Sequence, residues 1–300
     1  MKYYVGIDGG GTKTAFACMD ENKKVLFECV YESCHVLQVS RDQAIETLQK
    51  GLRTIMQNVD TMSMKNTRIC IGLAGYGKNQ VLRRKIEDVC QKSFEGYSYS
   101  IQSDADIALY GAFHGKDGIL LISGTGSIAY AKIRNQKYRC GGWGAQLGDE
   151  GSAYWIAKRL LEVFTKQVDG RYEETRLKAY VCDKLNLNDS YDVITLLSDS
   201  KYQNRHIFAQ FAMYVYDLAK ENDPYALQIY DDVAKELSLL ANTLSRNFNE
   251  SVEVSYAGGV WKGNQFLVNA FKKYCNGNIT LKDPLFSPVV GACYLAMEQE

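Results

Sequence analysis

The chain lacks an excess of charge of either sign, since its 300 residues hold 35 basic and 35 acidic side chains. Such a balance gives no net field that would favour nucleic acid or an anionic membrane. The chain also lacks an apolar run long enough to cross a bilayer, and its first residues enter a predicted strand without a signal-peptide pattern. We therefore expect a cytoplasmic protein with no nucleic-acid partner and no membrane partner.

Signatures of structural metal sites are missing as well. The nine cysteines are odd in number and irregularly spaced, no C-x-x-C occurs, and the three histidines lie far apart in the chain. This pattern argues against a zinc site, an iron–sulfur site and a disulfide framework. It is typical of a protein in a reducing compartment.

No G-x-x-x-x-G-K-[ST] loop occurs either, but a different glycine-rich turn stands near the start of the chain. The apolar run Tyr3–Asp8 leads into three glycines, and Lys13–Cys18 then alternates like a second strand. A dinucleotide-binding fingerprint would lead into a helix instead. Because glycine lets phosphate oxygens approach the main chain closely, the pattern indicates a phosphate-binding hairpin. The alternative is an ordinary hairpin whose backbone requires glycine.

The residues of this turn suggest a role for each position. Asp8 stands at the edge of the turn, and a hydrated Mg²⁺ takes one or two carboxylates together with phosphate oxygens. We therefore predict that Asp8 binds Mg²⁺ and that Gly10, Gly11 and Thr12 contact phosphates. Lys13 either adds a cation or is a solvated strand residue.

A second hairpin, Gly118–Lys132, resembles the first. When Gly10 is placed on Gly124, Ala15–Ala17 falls on Ala129–Ala131. Each copy is followed by a further short strand, which predicts an internal duplication. The candidate phosphate contacts of the second turn are Gly124, Thr125 and Gly126.

The remaining pattern is α/β. Ser40 is placed to cap the first helix, and Pro224 marks a break inside a mostly helical region, 153–248. Further helices are predicted at 81–94, 107–113 and 264–274, and further strands at 68–74, 97–102, 252–256 and 279–281.

These elements predict two duplicated α/β domains with a cleft between them. The first covers residues 1–115 and the second covers 116–287 with a helical insertion. A closing helix, about 288–300, packs back on the first domain. Gly115 and Gly118, near the crossover, are candidate hinge positions.

Three glycine motifs, 6–12, 123–127 and 257–260, together resemble the phosphate-1, phosphate-2 and adenosine motifs of the actin–hexokinase–Hsp70 superfold. More specific is the segment 140–157, which contains Cys-Gly-Gly-Trp-Gly and Gly-Asp-Glu-Gly-Ser-Ala-Tyr-Trp-Ile-Ala. It looks like the sugar-site segment of N-acetylglucosamine kinases within the BadF/BadG/BcrA/BcrD ATPase family. The likeness covers essentially the whole chain in the expected order. It implies two ribonuclease H-like (actin-like ATPase) domains.

The resemblance implies an ATP-dependent kinase that uses Mg²⁺ and phosphorylates the 6-hydroxyl of an amino sugar. N-acetylglucosamine is the leading substrate, and glucosamine and N-acetylmuramic acid stay open. Asp104 falls at the position of the catalytic base, and Gly258 and Gly259 fall on the adenosine side. The substrate-binding positions are Cys34, His35, Ser127, Gly142, Trp143 and Asp149.

Some positions carry alternatives. Asp106, two residues after Asp104, is a candidate helix N-cap, and Glu150 is read as the start of a helix. Cys34 stands where mammalian-type members place an asparagine, and a thiol cannot supply an amide's paired donor and acceptor. Ile128 stands where some members carry a polar residue. Both departures bear on which sugar is bound.

Two other functions are compatible with the same fold. One is a family activator ATPase that holds an iron–sulfur cluster between subunits, against which the scattered cysteines argue. The other is a catalytically silent sugar sensor, against which the presence of Asp8, Asp104 and both phosphate turns argues. We also expect a homodimer.

Overall fold

Each glycine-rich hairpin opens a five-stranded mixed sheet, and the two sheets lie in separate units of the computed structural model, which describes residues 1–134 and 136–299. One unit comprises Met1–Asp117 and Asp283–Glu300, and the other comprises Gly118–Lys282. The chain thus passes between the units after residues 117 and 282, whereas the sequence placed these points after 115 and 287.

The first unit contains five strands and four α-helices among its described residues. The helix predicted at 81–94 and the closing helix predicted at about 288–300 begin and end within two residues of the observed bounds. The strands are β1 (Tyr3–Gly9), β2 (Lys13–Asp20), β3 (Val25–Glu32), β4 (Thr67–Leu73) and β5 (Ser98–Ser103), and the helices are α1 (Arg41–Asn58), α2 (Gln80–Ser93), α3 (Asp104–Phe113) and α11 (Pro288–Glu298).

The sheet of the first unit has the strand order β3-β2-β1-β4-β5. The first three strands are antiparallel neighbours, and β1, β4 and β5 run parallel. Side chains alternate between the two faces of β1. One face carries Val5 and Ile7, which pack with α1 and α2, and the other carries Tyr4 and packs with α11.

Local sequence signals account for the helix starts. Ser40 caps α1 in a full capping box with Gln43, as the sequence predicts. The prediction for α3 was wrong in its start, because Ser103 caps the helix and accepts a hydrogen bond from the N–H of Asp106 at 3.1 Å. Asp106 is therefore the third helical residue and not the N-cap.

The second unit repeats the sheet and adds helices. Its strands are β6 (Gly118–Ser123), β7 (Ser127–Ile133), β8 (Gln136–Gly141), β9 (Val252–Ala257) and β10 (Ile279–Leu281). Its helices are α4 (Ala153–Val168), α5 (Arg176–Leu185), α6 (Asp192–Ser198), α7 (Arg205–Ala209), α8 (Ala212–Lys220), α9 (Pro224–Ser245) and α10 (Gln265–Tyr274). Pro224 is the first residue of α9, where its missing N–H costs no hydrogen bond.

The strand order β10-β9-β6-β7-β8 matches that of the first sheet strand for strand. Again the first three strands are antiparallel and the sheet continues through two parallel strands. Ile119 and Leu121 of β6 pack in one core with α4, α9 and α10. The α/β fold class and the internal duplication are confirmed.

The register corrects the residue-by-residue match of the two hairpins. Four residues separate the last paired residues of the first ladder, Gly9 and Thr14, but three separate Ser123 and Ser127. The second turn is one residue shorter, so Thr14 corresponds to Ser127 and not to Ile128. A slip of one residue moves every side chain to the other face, and the burial pattern agrees, since Thr14 and Ser127 are both buried.

Among the described residues, no helix combines the length and the apolar character that a membrane span requires.

Helix α11 lies against β1 so closely that only glycine fits at the contact. A Cβ atom added to Gly6 would lie 2.0 Å from the carbonyl oxygen of Val289 and 2.7 Å from the nitrogen of Cys293. These neighbours are backbone atoms, which cannot turn aside as a flexible side chain would. Gly6 therefore fixes how closely the helix packs on the sheet.

We expect Gly6→Ala to destabilise the protein by about 1–3 kcal/mol or more, because the added methyl group must push the helix off the sheet. Gly77→Ala is the matched control, since a Cβ there would meet nothing within 4 Å. Urea unfolding measures both variants. Equal midpoints for Gly6→Ala and Gly77→Ala would contradict the packing argument.

Candidate active site

In the first unit, the predicted catalytic and metal-binding carboxylates lie at one edge of the sheet. Gly9 pairs with Leu73 across β1 and β4, and Leu73 pairs with Ser103 across β4 and β5. The carboxyl ends of these parallel strands therefore end in one row. Asp8 is the residue before Gly9, and Asp104 is the residue after Ser103. Topology alone brings the two acids to the same place.

Asp104 is the first residue of α3 and is partly buried. Its Oδ1 accepts a hydrogen bond from the N–H of Ala105 at 2.9 Å, so the carboxylate is held at the start of the helix. Burial raises the pKa of Asp104, and the backbone N–H groups oppose the rise. The side chain is thus an oriented carboxylate with greater proton affinity than an exposed aspartate has.

The same surroundings raise the pKa of Asp8. Burial and the neighbouring Asp104 carboxylate raise the pKa of Asp8 from its ordinary value of 3.8 to about 6, while Lys13 lowers it. Two carboxylates in one poorly solvated place repel each other, and a cation between or beside them would relieve the repulsion.

The first turn has backbone N–H groups to offer, although not all of those that the sequence suggested. The N–H of Gly10 donates to the carbonyl of Lys13 at 3.0 Å and closes the turn. The N–H groups of Gly11 and Thr12 donate to no residue within 1–134 and 136–299. These two amides are therefore the donors that the turn has available.

The loop after β3 reaches the same edge. The hydroxyl of Ser33 donates to the carbonyl of Gly10 at 2.9 Å, and the N–H of His35 donates to Ser33 Oγ at 3.1 Å. A positive charge on His35 also lowers the pKa of Asp104. His35 thus lies with the predicted site.

Cys34 does not lie with it. Its side chain is 1% exposed and belongs to the core beneath the sheet, and a Cβ on Gly9 would lie 2.9 Å from its Sγ. Burial also raises the pKa of the Cys34 thiol. The structure therefore places this predicted sugar contact behind the turn, where it supports Gly9 by packing.

The second turn has the same construction as the first. The N–H of Gly124 donates to the carbonyl of Gly126 at 2.9 Å, and the N–H groups of Thr125 and Gly126 donate to nothing in the described ranges. The adjacent loop contributes Gly258, whose φ is +101° and whose added Cβ would lie 2.2 Å from the carbonyl oxygen of Ser123. At Gly259 a Cβ would meet nothing within 4 Å, so space remains beside it.

Ser127 and Gly142 have structural roles in this unit. Ser127 is 3% exposed, and its hydroxyl donates to the carbonyl of Glu150 at 2.6 Å. Gly142 has φ of +72°, and a Cβ there would lie 2.4 Å from Ile128 Cδ1. Ser127 therefore ties the turn to the following loop, and Ile128 fills the space beside Gly142.

Trp143 is not a core tryptophan, because 70% of it is exposed. The guanidinium of Arg139 lies 5.2 Å from the ring centroid and donates through Nη2 to the carbonyls of Gly141 and Gly142 at 3.1 and 3.0 Å. The two carbonyls fix the guanidinium, and the guanidinium over the ring favours this position of the indole. The ring presents an apolar face at the surface of the unit.

Asp149 is 6% exposed and adopts the left-handed region, with φ of +61°. Its Oδ1 accepts from the N–H of Gly144 at 3.2 Å, and its Oδ2 accepts from Arg205 Nη2 at 2.5 Å. Helix α4 begins later, at Ala153 with Ser152 as its cap. The prediction that Glu150 starts this helix is therefore wrong.

Arg205 and His206 contact predicted site residues, and sequence reasoning missed them. Arg205 pairs with Asp149, and His206 Nδ1 lies 3.0 Å from Oγ1 of Thr125 in the second turn. Both residues lie in the helical insertion, more than fifty positions after their partners. No periodicity or motif links such distant positions, so only the fold reveals the contact.

All nine cysteines are free thiols, and five of them are buried. In the described ranges no three His, Cys, Asp or Glu side chains gather as a metal cage. A hydrated Mg²⁺ needs no such cage, because one or two carboxylates and phosphate oxygens complete its shell. The oxygen donors and poor solvation of Asp8 and Asp104 fit that ion.

Comparison with known proteins assigns these features to one family. The model of the BadF/BadG/BcrA/BcrD ATPase family matches residues 5–296. An N-acetylmuramic acid/N-acetylglucosamine kinase of Clostridium acetobutylicum is 32% identical over 287 residues, covering 93% of this chain and 92% of that protein. An N-acetyl-D-glucosamine kinase of Dictyostelium discoideum is 29% identical, covering 99% of this chain and 98% of that protein.

Solved structures agree on the fold. A Chromobacterium violaceum protein provisionally named an N-acetylglucosamine kinase superposes with a TM-score of 0.80 at 23% identity, with 99% of both chains covered. A ROK family glucokinase of Streptomyces griseus, solved with glucose and AMPPNP, gives a TM-score of 0.63 at 16% identity, again with 99% of both chains covered. At these identities the likeness shows the actin-like ATPase fold alone.

The raised pKa of Asp8 predicts a gain in stability when its charge is removed. Ionised Asp8 costs the folded state free energy above about pH 6, and the cost fades as the pH falls towards 3.8. We expect Asp8→Asn, without nucleotide, to be more stable than the parent at pH 8 by on the order of 1–2 kcal/mol, and so to unfold at a higher temperature. The difference should shrink at pH 5.

Asp42→Asn serves as the control, because the Asp42 side chain is 91% exposed and its loss should leave the unfolding temperature nearly unchanged. A lower unfolding temperature for Asp8→Asn at pH 8 would show that ionised Asp8 stabilises the fold, against this account.

Proposed function

The chain belongs to the BadF/BadG/BcrA/BcrD ATPase family, and from this membership we propose that it is an amino-sugar kinase. It transfers the γ-phosphoryl group of ATP to the 6-hydroxyl of the sugar, and N-acetylglucosamine is the leading substrate. Relatives named as N-acetylglucosamine kinases over nearly their full length support the substrate class. The observation that carries the proposal is the pair of acids beside a turn with two free amides.

Asp104 is the general base. A sugar hydroxyl is a weak nucleophile at neutral pH and must lose its proton as the new bond forms. The proton moves to a carboxylate oxygen of Asp104 while the hydroxyl oxygen bonds to the γ-phosphorus. The bond from that phosphorus to the bridging oxygen breaks, and ADP leaves. The raised pKa of Asp104 brings its proton affinity closer to what this transfer needs.

Each turn offers donors to phosphate oxygens. Phosphoryl transfer depends mainly on positioning and on neutralising charge. The N–H groups of Gly11 and Thr12 in one turn, and of Thr125 and Gly126 in the other, donate to none of the described residues and suit phosphate oxygens. The N–H groups of Gly10 and Gly124 donate within the turns and close them, so they are not offered to phosphate.

Lys13 is exposed and close enough to Asp8 to lower its pKa, so it adds a positive charge near the phosphates. Gly258 packs against the backbone of Ser123, and Gly259 leaves space for the adenosine. Asp8 would hold Mg²⁺, which would supply positive charge against the phosphates when bound.

The proposed sugar contacts include an exposed ring, Trp143, and a buried carboxylate, Asp149, whose two oxygens can accept more than the two hydrogen bonds they already have. Trp143 offers its face to the ring or acetyl group, and Asp149 accepts hydrogen bonds from sugar hydroxyls. His35 and the backbone at Gly142 complete the set. Cys34 and Ser127 are not part of this set. The Cys34 thiol is buried in the core, and the Ser127 hydroxyl already donates to the carbonyl of Glu150.

Glucosamine and N-acetylmuramic acid are the alternative substrates. An activator ATPase without sugar kinase activity is less favoured, because a cluster needs thiolates and burial raises the pKa of thiols such as Cys18 and Cys70, to about 12 and about 11. A homodimer and a cytoplasmic location stay predictions.

We expect Asp104→Asn to lower kcat for N-acetylglucosamine by about a hundredfold to ten-thousandfold, because the amide cannot take the proton. Affinity for ATP should stay within about twofold of the parent, since the phosphate donors are untouched. Coupled ADP release measures the rate, and equilibrium nucleotide titration measures the affinity.

Asp106→Asn is the matched control, because this carboxylate lies two residues further along the same helix and has no role in the mechanism. It should retain activity. Parent-like turnover by Asp104→Asn would show that another group is the base.

A further inference from the structure

Arg205 is the first residue of α7, a short helix in the insertion of the second unit. Asn204 caps this helix and accepts a hydrogen bond from the N–H of His206 at 2.9 Å. The cap fixes the backbone at the point where Arg205 pairs with Asp149 and His206 meets Thr125. Two consecutive residues therefore contact Asp149, a predicted sugar-binding residue, and Thr125 in the second glycine-rich turn.

Arg205 balances the charge of Asp149. A carboxylate that is 6% exposed is costly unless it is paired and hydrogen-bonded. Both Asp149 oxygens have a donor, one from the backbone of Gly144 and one from the guanidinium. The pair as a whole carries no net charge, so this side of the site does not repel an anion as a lone aspartate would.

The guanidinium also has donors to spare. Arginine carries five N–H groups, and Arg205 uses Nη2 on Asp149. Its Nε and Nη1 groups bond to no residue in the part of the chain that the structure describes. The side chain is 43% exposed, and the ring of Tyr154 lies 5.5 Å from its central carbon. The guanidinium is therefore accessible, and the bond to Asp149 and the ring of Tyr154 hold its position.

We propose that Arg205 recognises a carboxylate on the sugar, so that the enzyme accepts an amino sugar with an acidic substituent as well as a neutral one. N-acetylmuramic acid has this chemistry, since it is N-acetylglucosamine with a lactyl ether that ends in a carboxylate. The planar fork of arginine matches a carboxylate in a way that a lysine ammonium does not. The inference rests on the proposed function of the same site.

The test compares the two sugars in the same variants. In Arg205→Gln the amide can still donate to Asp149, but the charge is lost. We expect kcat/KM for N-acetylmuramic acid to fall by about tenfold to a hundredfold more than kcat/KM for N-acetylglucosamine. Arg205→Lys should give an intermediate ratio, and the loss should appear mainly in KM.

Arg171→Ala is the matched control, because it removes an ion pair with Asp169 in the same unit, beyond the end of α4. It should change neither kcat/KM for N-acetylmuramic acid nor kcat/KM for N-acetylglucosamine. Salt gives a second measurement, since KM for the anionic sugar should rise with KCl and KM for the neutral sugar should not.

Two outcomes would overturn the inference. Equal losses for both sugars in Arg205→Gln would mean that Arg205 only orders Asp149, and no turnover of N-acetylmuramic acid by the parent would mean that it recognises no carboxylate. In either case turnover of N-acetylglucosamine keeps the proposed function intact. Only a parent that phosphorylates no amino sugar would refute that function.

Discussion

The close approach of Asp8 and Asp104 is the interaction on which the first unit's site depends. Parallel pairing of β1, β4 and β5 ends three strands in one row, and the two acids stand beside that row. Each carboxylate is poorly solvated, and Asp104 raises the pKa of Asp8. The fold thus holds two groups whose repulsion makes the place receptive to a cation and to a proton.

The second unit has the same sheet topology but a different arrangement of charged groups. Its hairpin has Ile122 where the first has Asp8, so no acid stands at that point of the turn. The buried carboxylate comes instead from Asp149, and an arginine of the helical insertion balances it. Duplication supplied the two turns, while the acids and their partners differ between the copies.

Much of the fold could be read from the sequence because its signals are local. Alternating apolar residues give the strands, Ser40 and Pro224 mark helix starts, and glycine-rich turns mark both hairpins. The register of the second hairpin could not be read, because an ungapped match hides a turn that is one residue shorter. The cap of α3 was misplaced for a similar reason, since Ser103 and Asp106 are both good caps in isolation.

The sequence by itself determined the two hairpins, the order of the strands along the chain and the chemical types at the predicted site. Only the tertiary structure decided which of those groups are available. It buries Cys34 behind Gly9, bonds Ser127 to a carbonyl, exposes Trp143 and pairs Asp149 with Arg205. Availability depends on neighbours that are distant along the chain, and burial and pairing are properties of the packed molecule.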